Sequence, residues 1–512
     1  MWVITSHKTW SKVPTSGPTT TSGRMGRAGR GVHPPRARVP RPPAPLPLLA
    51  PLLLLVVVAG GAAAGRVPGG GGWGWGAEGP PLPEQVHLTP GATFEAVTAQ
   101  WVLQTRDPKL LKGCQCLYGP AGAPGGPRRQ APAALGSYSD DGFAGTILTA
   151  ELGGLAAGAT YSYACGCTDG GAFSPARNFT AGHRGDFDAA GRAVKVLCWG
   201  DMGAVGQGVA IFGRDSKWVV QGLTRDAARG YELAINVGDS GYADDYQHPN
   251  AWVTDKWFND MEGVMARVPT AFVPGNHEAQ YNFAPYRQRM KMPAGGAGDL
   301  APYLTSFDWG PLHVVGFSSE HSTRPGGEQW TFLLNDLKRV NREVTPFVIV
   351  FAHRPMYCTS MMFSRHVKNF QRCTTEGESL RDNLEVLFQD FGVDLYLSGH
   401  NHQYERSHPV FRARTTSVGK EGAGGEHIYV NPTATIHIVN GAAGDKEGND
   451  PTWTGNPGYR AKHGLLFANG YARFEANMTA LTWQYVEYAW PLMTEKVLDE
   501  FVLVKTSLLR EQ

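Results

Sequence analysis

The sequence has little net charge, and its N-terminal apolar segment is short. Its 47 lysines and arginines nearly balance its 45 aspartates and glutamates, which leaves a formal net charge of +2. This balance gives no reason to expect a polyanionic partner such as nucleic acid. The apolar segment from Leu46 to Ala59 is interrupted by prolines and is shorter than the roughly 20 residues that span a bilayer. We therefore expect no stable membrane span in the mature protein.

That apolar segment is typical of the core of a secretory signal peptide. A basic stretch without acidic residues, from Arg24 to Arg41, precedes it, and small residues follow it at 62–64. We predict a leader with a signal peptide over residues 1–64 and a secreted protein. N-glycosylation sequons at Asn178 and Asn477 agree with secretion. Translation from Met25 would give a signal peptide of more ordinary length. A retained signal anchor is one alternative to secretion, and a basic arm that binds nucleic acid or membrane is another interpretation of the leader.

Cysteines are few, and their odd number leaves at least one thiol unpaired. The seven are Cys114, Cys116, Cys165, Cys167, Cys198, Cys358 and Cys373. The two Cys-x-Cys pairs lie in strand-like segments and could bridge each other, and the last two cysteines flank a loop and could form another bridge. Cys198 lies in an apolar run, where we expect a buried free thiol. The Cys-x-Cys spacing is not the usual zinc pattern, so a structural zinc is the weaker alternative.

Composition divides the remainder of the chain into three segments. Residues 65–83 are rich in glycine and proline and are typical of a linker. Residues 84–185 contain short strand-like runs without a helical period, which predicts a β-sandwich of the immunoglobulin or fibronectin III type. Residues 186–512 alternate apolar strands with helix candidates and finish with a strand-rich segment from Leu465 to Lys505. This pattern predicts an α/β domain whose sheet is covered on both faces.

Five apolar runs of the α/β domain are predicted strands, and three segments between them are predicted helices. The strands are Val194–Trp199, Leu233–Val237, Thr270–Val273, Phe347–Phe351 and Val393–Leu397. The helices are Trp218–Arg229, Gly327–Arg342 and Ser379–Phe391. In sheets of this kind the loops at the strand ends meet at one rim, where chemistry is normally located.

A short polar motif ends or follows each predicted strand. In chain order the motifs are Gly200-Asp201-Met202-Gly203, Gly238-Asp239-Ser240-Gly241-Tyr242, Gly275-Asn276-His277-Glu278, Val350-Phe351-Ala352-His353 and Gly399-His400-Asn401-His402. Glycine at four strand ends lets the backbone turn sharply and approach an ion. The glycine-rich stretch 200–208 lacks the Gly-Lys-Ser/Thr ending of a phosphate-binding loop, which disfavours that reading.

The motifs supply seven candidate metal ligands. These are Asp201, Asp239, Tyr242, Asn276, His353, His400 and His402. Oxygen and imidazole donors without cysteine suit zinc, manganese or iron. Seven ligands are too many for one tetrahedral zinc but suit two ions about 3.5–4 Å apart, a common arrangement in phosphate-ester hydrolysis. Tyr242 is the most informative, because a phenol with a pKa of about 10 becomes a good ligand when a strongly Lewis-acidic ion such as Fe(III) displaces its proton.

The five motifs together resemble those of the purple acid phosphatases, in particular the long, animal-type members. The segment 400–406 is similar to the family's GHxHxYER sequence, and the resemblance extends from residue 83 to 505. It implies a fibronectin III-like domain followed by a metallophosphoesterase domain with four αββα layers. It also implies an Fe(III)–M(II) centre, in which M is Fe, Zn or Mn, and a secreted acid phosphatase that acts on phosphate monoesters.

The resemblance also assigns roles to individual residues. Asp201, Tyr242 and His402 would hold the ferric ion, and Asn276, His353 and His400 would hold the divalent ion. Asp239 would bridge the two ions. His277 would be catalytic rather than a ligand, binding a phosphoryl oxygen or protonating the leaving group. A metal-bound hydroxide would be the nucleophile, without a covalent phosphoenzyme.

Several alternatives stay open at this stage. A related metallophosphodiesterase or nucleotide hydrolase is the nearest rival, and a catalytically silent secreted binding protein is another. The substrate would be a small-molecule phosphate ester or a phosphoprotein, and a homodimer is one possible assembly. Glu278 and Arg406 are expected to brace the ligand loops. His366 is the one histidine placed to contact substrate from the segment between Cys358 and Cys373.

Overall fold

The computed structural model describes most of the chain from residue 81 onward. The described residues are 81–122, 128–169, 171–184, 192–207, 215–296, 298–364, 369–373, 377–450, 452–489 and 491–506. All of them belong to one compact unit that spans 77–512. The predicted leader, most of the linker and His366 therefore lie outside the described residues. Among the helices of the described ranges, none is long and apolar enough to cross a membrane.

Two four-stranded antiparallel sheets form the N-terminal domain. Its strands are β1 Glu84–Pro90, β2 Val97–Leu103, β3 Lys112–Pro120, β4 Arg129–Pro132, β5 Ala134–Gly136, β6 Thr146–Leu152, β7 Thr160–Asp169 and β8 Arg177–Thr180. One sheet has the order β1-β2-β6-β5 and the other β4-β3-β7-β8. Fully buried Trp101, Leu148 and Tyr163 share one core with both sheets. The predicted sandwich is confirmed, while its assignment to the fibronectin III type stays a prediction.

Two disulfides cross-link the second sheet of the sandwich. Cys114 bonds Cys167, and Cys116 bonds Cys165. Each pair is directly opposite across the antiparallel strands β3 and β7. This pairing confirms that the two Cys-x-Cys segments bridge each other and rules out the structural zinc. Elsewhere in the chain Cys358 bonds Cys373, and Cys198 is a buried free thiol, both as predicted.

In the described ranges, the second domain contains two large sheets, two short strand pairs and a three-stranded sheet. Its strands are β9 Val194–Trp199, β10 Met202–Gly203, β11 Leu233–Asn236, β12 Ser240–Gly241, β13 Thr270–Phe272, β14 Thr305–Trp309, β15 Leu312–Gly316, β16 Phe347–Phe351, β17 Ser360–Ser364, β18 Asn369–Arg372, β19 Leu395–Ser398, β20 Tyr404–Ser407, β21 Val410–Phe411, β22 Arg414–Thr415, β23 Lys420–Glu421, β24 His427–Val430, β25 Ile436–Asn440, β26 Thr452–Trp453, β27 Arg460–His463, β28 Ala468–Ala476, β29 Ala480–Ala489 and β30 Thr494–Val504. One large sheet has the order β13-β11-β9-β28-β29-β30-β24-β23, and the other β14-β15-β16-β19-β25-β20-β27. The short pairs are β10-β12 and β21-β22, and the three-stranded sheet has the order β18-β17-β26.

Helices cover the outer face of each large sheet. They are α1 Lys217–Ala227, α2 Ala251–Met265, α3 Ala284–Arg289, α4 Glu328–Leu337 and α5 Glu378–Asp390. Side chains from α1 and α2 share a buried cluster with one face of the eight-stranded sheet, and α4 and α5 do so with the seven-stranded sheet. The inner faces of the two sheets pack on each other in a third cluster. The four-layer αββα arrangement is therefore confirmed.

A buried arginine joins the two domains. Arg289 at the end of α3 is 2% exposed and donates to Asp255 of α2 at 2.6 Å. It also donates to two residues of the sandwich, Gln85 at 2.9 Å and the hydroxyl of Tyr138 at 2.7 Å. The sandwich is thus fixed to the side of the α/β domain that carries α2 and α3.

Candidate metal centre

The predicted ligands converge because five parallel strands end at neighbouring positions. Strands β9, β11 and β13 are parallel neighbours in one sheet, and β16 and β19 are parallel neighbours in the other. The loops that follow their carboxyl ends carry the five motifs. Since the two sheets pack face to face, their strand ends lie opposite each other across the same rim. All seven predicted ligands are buried there, apart from the half-buried Asn276.

Four of the predicted ligands have backbone conformations that non-glycine residues rarely adopt. The φ angles are 57° at Asp201, 54° at Asp239, 57° at Tyr242 and 69° at His400. Such left-handed conformations cost free energy, of order 1–3 kcal/mol each for strained residues, and cluster at functional sites. The turns point these side chains inward at the strand ends, which explains why the strain is retained.

Two glycines permit the ligands to come close to the backbone. A methyl group at Gly275 would lie 2.1 Å from Oδ1 of Asp239, and one at Gly399 would lie 2.1 Å from Oδ2 of Asp201. Both distances are far below van der Waals contact. The motif glycines are therefore required by the packing of the carboxylates.

One cluster of donor atoms contains Asp239, Asn276, His353 and His400. Nε2 of His353 lies 2.9 Å from Oδ2 of Asp239 and 3.2 Å from Oδ1 of Asn276. The donor atoms of Asp239, His353 and His400 all lie within 4.8 Å of one another, and all three residues are buried. This group could hold one metal ion.

A second cluster contains Asp201, Tyr242 and His402. The hydroxyl of Tyr242 lies 3.0 Å from Nε2 of His402 and 3.5 Å from Oδ1 of Asp201. Nε2 of His402 is 3.5 Å from the same carboxylate oxygen. Three donor atoms of different chemistry thus meet at one point, as they would around a second ion.

Hydrogen bonds from the outer ring nitrogens fix the orientation of two ligand histidines. Nδ1 of His353 bonds the carbonyl of Val237 at 3.0 Å. Nδ1 of His402 bonds the carbonyl of Gly448 at 3.0 Å and lies 3.2 Å from Oδ2 of Asp445. Each contact leaves Nε2 facing the cluster, which is the arrangement found around metal-bound histidines. Sequence reasoning missed Asp445, which lies in a loop without a recognisable motif.

The electrostatics of the clusters favour bound cations. Burial, together with the charges of Asp239 and Asp445, raises the pKa of Asp201 well above its usual range. Burial and the carboxylates of Asp445 and Asp201 also raise the pKa of the Tyr242 phenol well above 10. In the absence of a cation, both shifts favour the protonated forms of Asp201 and Tyr242. A strongly charged ion would displace those protons, so the donor set fits the predicted metal centre.

Asp239 differs from the other buried carboxylates. Burial alone would raise its pKa, but the adjacent His353 and His277 outweigh this effect and hold the pKa far below its usual range. Oδ1 of Asp239 also accepts a hydrogen bond from the backbone N–H of His277 at 2.9 Å. The side chain is therefore an anion that contacts His353 and whose charge also acts on Asp201.

Glu278 braces two of the ligand loops, as predicted. Its carboxylate accepts hydrogen bonds from the backbone N–H groups of Asp239 at 3.0 Å, Ser240 at 2.7 Å and Gly275 at 2.7 Å. The prediction for Arg406 is wrong. Its guanidinium forms a buried ion pair with Asp499 at 2.6 Å and ties β20 to β30 instead.

His277 faces the two clusters without joining either of them. Its ring centroid lies 4.2 Å from that of Tyr242, and its Nε2 lies 3.9 Å from Oδ2 of Asp239. Nδ1 is 2.7 Å from the carboxylate of Asp244, in the short turn Ala243–Asp245. Burial alone would lower the pKa of His277, but Asp239 and Asp244 outweigh it and raise the pKa to about 10. Sequence reasoning missed Asp244, although its position two residues after Tyr242 was a usable signal.

A second group that sequence reasoning missed lies beside His400. Arg354 directly follows His353 and forms an ion pair with Glu320. The position of Arg354 directly after a ligand motif was a signal, whereas Glu320 lies 34 residues away in a connection without a motif.

Three family descriptions match successive parts of the chain. Residues 83–181 match the N-terminal domain of purple acid phosphatase, and residues 194–404 match the calcineurin-like phosphoesterase family. Residues 434–500 match the iron/zinc purple acid phosphatase-like protein C description. The second match contains all seven predicted ligands and His277.

Relatives and a solved structure agree with these matches. Acid phosphatase type 7 from Homo sapiens is 31% identical over 380 residues, which cover 71% of this chain and 78% of that protein. The Mus musculus protein of the same name is 34% identical over 302 residues, which cover 57% of this chain and 63% of that protein. The fold is similar to that of the purple acid phosphatase PPD1 from Lupinus luteus seeds, with a TM-score of 0.69, 21% identity and coverage of 83% of this chain and 75% of that one.

Proposed function

Because the chain belongs to the purple acid phosphatase family and is a phosphatase, we propose that it hydrolyses phosphate monoesters at a centre of one Fe(III) and one divalent ion. The observation that carries the proposal is the division of the predicted ligands into two adjoining donor clusters. Asp239 contacts one cluster, and its charge contributes to raising the pKa of Asp201 in the other. The substrate would be a small-molecule phosphate ester or a phosphoprotein, and the divalent ion would be Fe, Zn or Mn.

Each cluster would hold one ion. The ferric ion would be held by Asp201, Tyr242 and His402, because a phenolate requires a strongly Lewis-acidic partner. The divalent ion would be held by Asn276, His353 and His400, with Asp239 shared between the two. When bound, such a pair of ions activates water and offsets the charge that develops on the phosphoryl group.

His277 would supply the proton for the leaving group. The carboxylate of Asp244 accepts a hydrogen bond from Nδ1–H of His277, which leaves Nε2 as the nitrogen that faces the clusters. A histidine held in this way can protonate the ester oxygen as the bond to phosphorus breaks. The burial of His277, whose side chain is 11% exposed, limits competition from bulk water.

A matched pair of substrates tests the proposed reaction. The purified protein, before and after chelation and metal reconstitution, is assayed with p-nitrophenyl phosphate and with bis(p-nitrophenyl) phosphate. The proposal expects hydrolysis of the monoester that disappears on chelation and returns with iron plus a divalent ion. Preference for the diester would instead favour the related phosphodiesterase. Bound metal without hydrolysis of either ester would favour the silent binding protein.

We also propose that the protein is secreted. Three disulfides suit an oxidising compartment, and the sequon residue Asn178 is exposed on β8. Expression in cultured animal cells, followed by glycosidase treatment of the medium, tests this directly. A protein that stays in the cell and does not change mobility would contradict secretion.

A further inference from the structure

An ion pair lies against the cluster proposed to hold the divalent ion. Nε of Arg354 lies 2.9 Å from Oε1 of Glu320, and its Nη2 lies 3.1 Å from Oε2. The two parallel contacts form a bidentate pair, the geometry in which arginine binds carboxylates most strongly. The side chains are 26% and 10% exposed, so Glu320 is the more buried partner and the guanidinium is the more accessible one.

The backbone of Arg354 is held as firmly as its side chain. Its N–H donates to the hydroxyl of Ser319 at 2.9 Å, and its carbonyl accepts from the hydroxyl of Tyr396 at 2.7 Å. Ser319 and Glu320 lie together in the connection between β15 and α4. The connection between β15 and α4 therefore fixes Arg354 through Ser319 and Glu320. Strand β19 fixes it through Tyr396.

The guanidinium reaches residues of the proposed ion site. Its Nη1 lies 2.9 Å from Nε2 of His400, and its Nη2 lies 3.5 Å from Oδ1 of Asn276. The guanidinium is a permanent cation next to two residues predicted to hold a divalent ion, so the surroundings favour a ligand with negative charge. An incoming phosphate dianion would supply that charge, and the planar guanidinium matches its oxygens.

We propose that Arg354, positioned by Glu320, binds a non-bridging oxygen of the substrate phosphoryl group and selects the doubly charged monoester over a diester. This inference rests on the proposed function, because it names the substrate charge that the same site prefers. A diester carries one negative charge instead of two. It also offers the guanidinium one non-bridging oxygen fewer than a monoester does. Loss of the guanidinium would therefore reduce hydrolysis of the monoester more than hydrolysis of the diester, and the selectivity of the enzyme for the monoester would fall.

The experiment compares Arg354→Met and Arg354→Lys with the control Arg324→Met. Arg324 is exposed and lies in the same connection as Glu320. Three quantities are measured on metal-loaded protein: ions per chain, the dissociation constant of inorganic phosphate by calorimetry, and kcat/KM for the monoester and the diester. Glu320→Gln is included to test the positioning role.

For Arg354→Met we expect full metal content, phosphate binding about 10- to 100-fold weaker, and a similar loss in kcat/KM for the monoester. The diester value should change by less than about threefold, Arg354→Lys should recover part of the loss, and the control should match wild type. Glu320→Gln should lower the ratio of kcat/KM for the monoester to kcat/KM for the diester, but by a smaller factor than Arg354→Met does.

Three results would overturn the inference. Equal losses for both esters, or loss of metal from Arg354→Met, would make the pair a structural support of the ion site. Unchanged phosphate affinity in a fully loaded variant would show that the guanidinium does not contact the anion. If the wild type hydrolyses neither ester but binds phosphate in a way that depends on Arg354, the proposed function fails and the anion site stands.

Discussion

At the scale of single residues, the centre depends on carboxylates and a phenol held in strained positions. Asp201, Asp239 and Tyr242 all have φ near 55° and are buried. Burial raises the pKa of Asp201 and Tyr242, whereas adjacent histidines hold that of Asp239 low. The site thus contains two groups whose ionisation a bound cation would favour, Asp201 and Tyr242, and one group that is already ionised, Asp239. This difference leads to different expectations for individual substitutions.

Asp239→Ala is expected to lose both ions. Its carboxylate contacts His353 directly, and its charge acts on Asp201, so its removal weakens both clusters. Metal analysis should fall from about two ions per chain to nearly none. Asp244→Ala is the matched control, because Asp244 contacts His277 rather than a predicted ligand. A variant of Asp239 that keeps one tightly bound ion would contradict the shared position.

His277→Ala should keep its metals and lose turnover. The side chain faces the clusters but is not counted among the ligands, so kcat should fall by about 10²–10⁴-fold at unchanged metal content. Asp244→Asn should give a smaller loss, because the imidazole remains but is less firmly oriented. Steady-state kinetics and metal analysis on the same preparations check both expectations. Depletion of metal in His277→Ala would remove its assigned role.

At the scale of elements, a histidine links β14, β15 and α4. Nδ1 of His313 lies 2.7 Å from Asp308, and its Nε2 lies 2.9 Å from Asp336. Burial alone would lower the pKa of His313, but the two carboxylates outweigh it and raise the pKa to about 9. Because an unfolded histidine has a pKa of about 6.5, this stabilisation is full below that pH and disappears as the pH rises through about 9.

His313→Gln should therefore destabilise the protein at low pH and much less at high pH. We expect a loss of about 1–3 kcal/mol in the free energy of unfolding at about pH 6, which shrinks towards zero at about pH 10. Chemical denaturation at both pH values measures the difference. His463→Gln is the control, because His463 is exposed. A loss of equal size at both pH values would show that packing, not charge, explains the effect.

The strands that precede the ligand loops could be predicted from the sequence, whereas the longest helix of the described ranges was missed. Strands β9 and β16 match their predicted bounds, because strands covered on both faces are continuously apolar. Helix α2 was missed, although its buried residues Val253, Trp257 and Met261 recur every four positions. The Arg354–Glu320 pair could not be predicted at all, because only the folded chain brings these two residues together.

At the scale of the whole molecule, an ion pair and hydrogen bonds of one buried arginine fix the β-sandwich to the catalytic domain. The buried guanidinium of Arg289 bonds Asp255 on one side and Gln85 and Tyr138 on the other. The interface therefore depends on one cation for several polar contacts. Removing that cation would leave the side-chain oxygen of Gln85 without this donor and the Asp255 carboxylate without its cation, although the side-chain amides of Gln85 and Gln104 also donate to Asp255.

Arg289→Met is expected to lower the free energy of unfolding by about 3–5 kcal/mol, the range found when one member of a buried ion pair is removed. The double variant with Asp255→Asn should recover part of this loss, because the uncompensated charge is removed as well. Calorimetry should then show the two domains unfolding less cooperatively. A change below about 1 kcal/mol would mean that apolar packing alone holds the interface.

The most direct test of a centre with Fe(III) bound by Tyr242 is the visible absorption spectrum of the purified protein, measured together with its metal content. We predict about two metals per chain and a broad band at roughly 500–600 nm from the Tyr242 phenolate on Fe(III). Tyr242→Phe should abolish the band, and Tyr246→Phe, four residues on, should retain it. Two bound metals without a band, even after mild oxidation, would contradict the ferric assignment and indicate a colourless zinc or manganese centre.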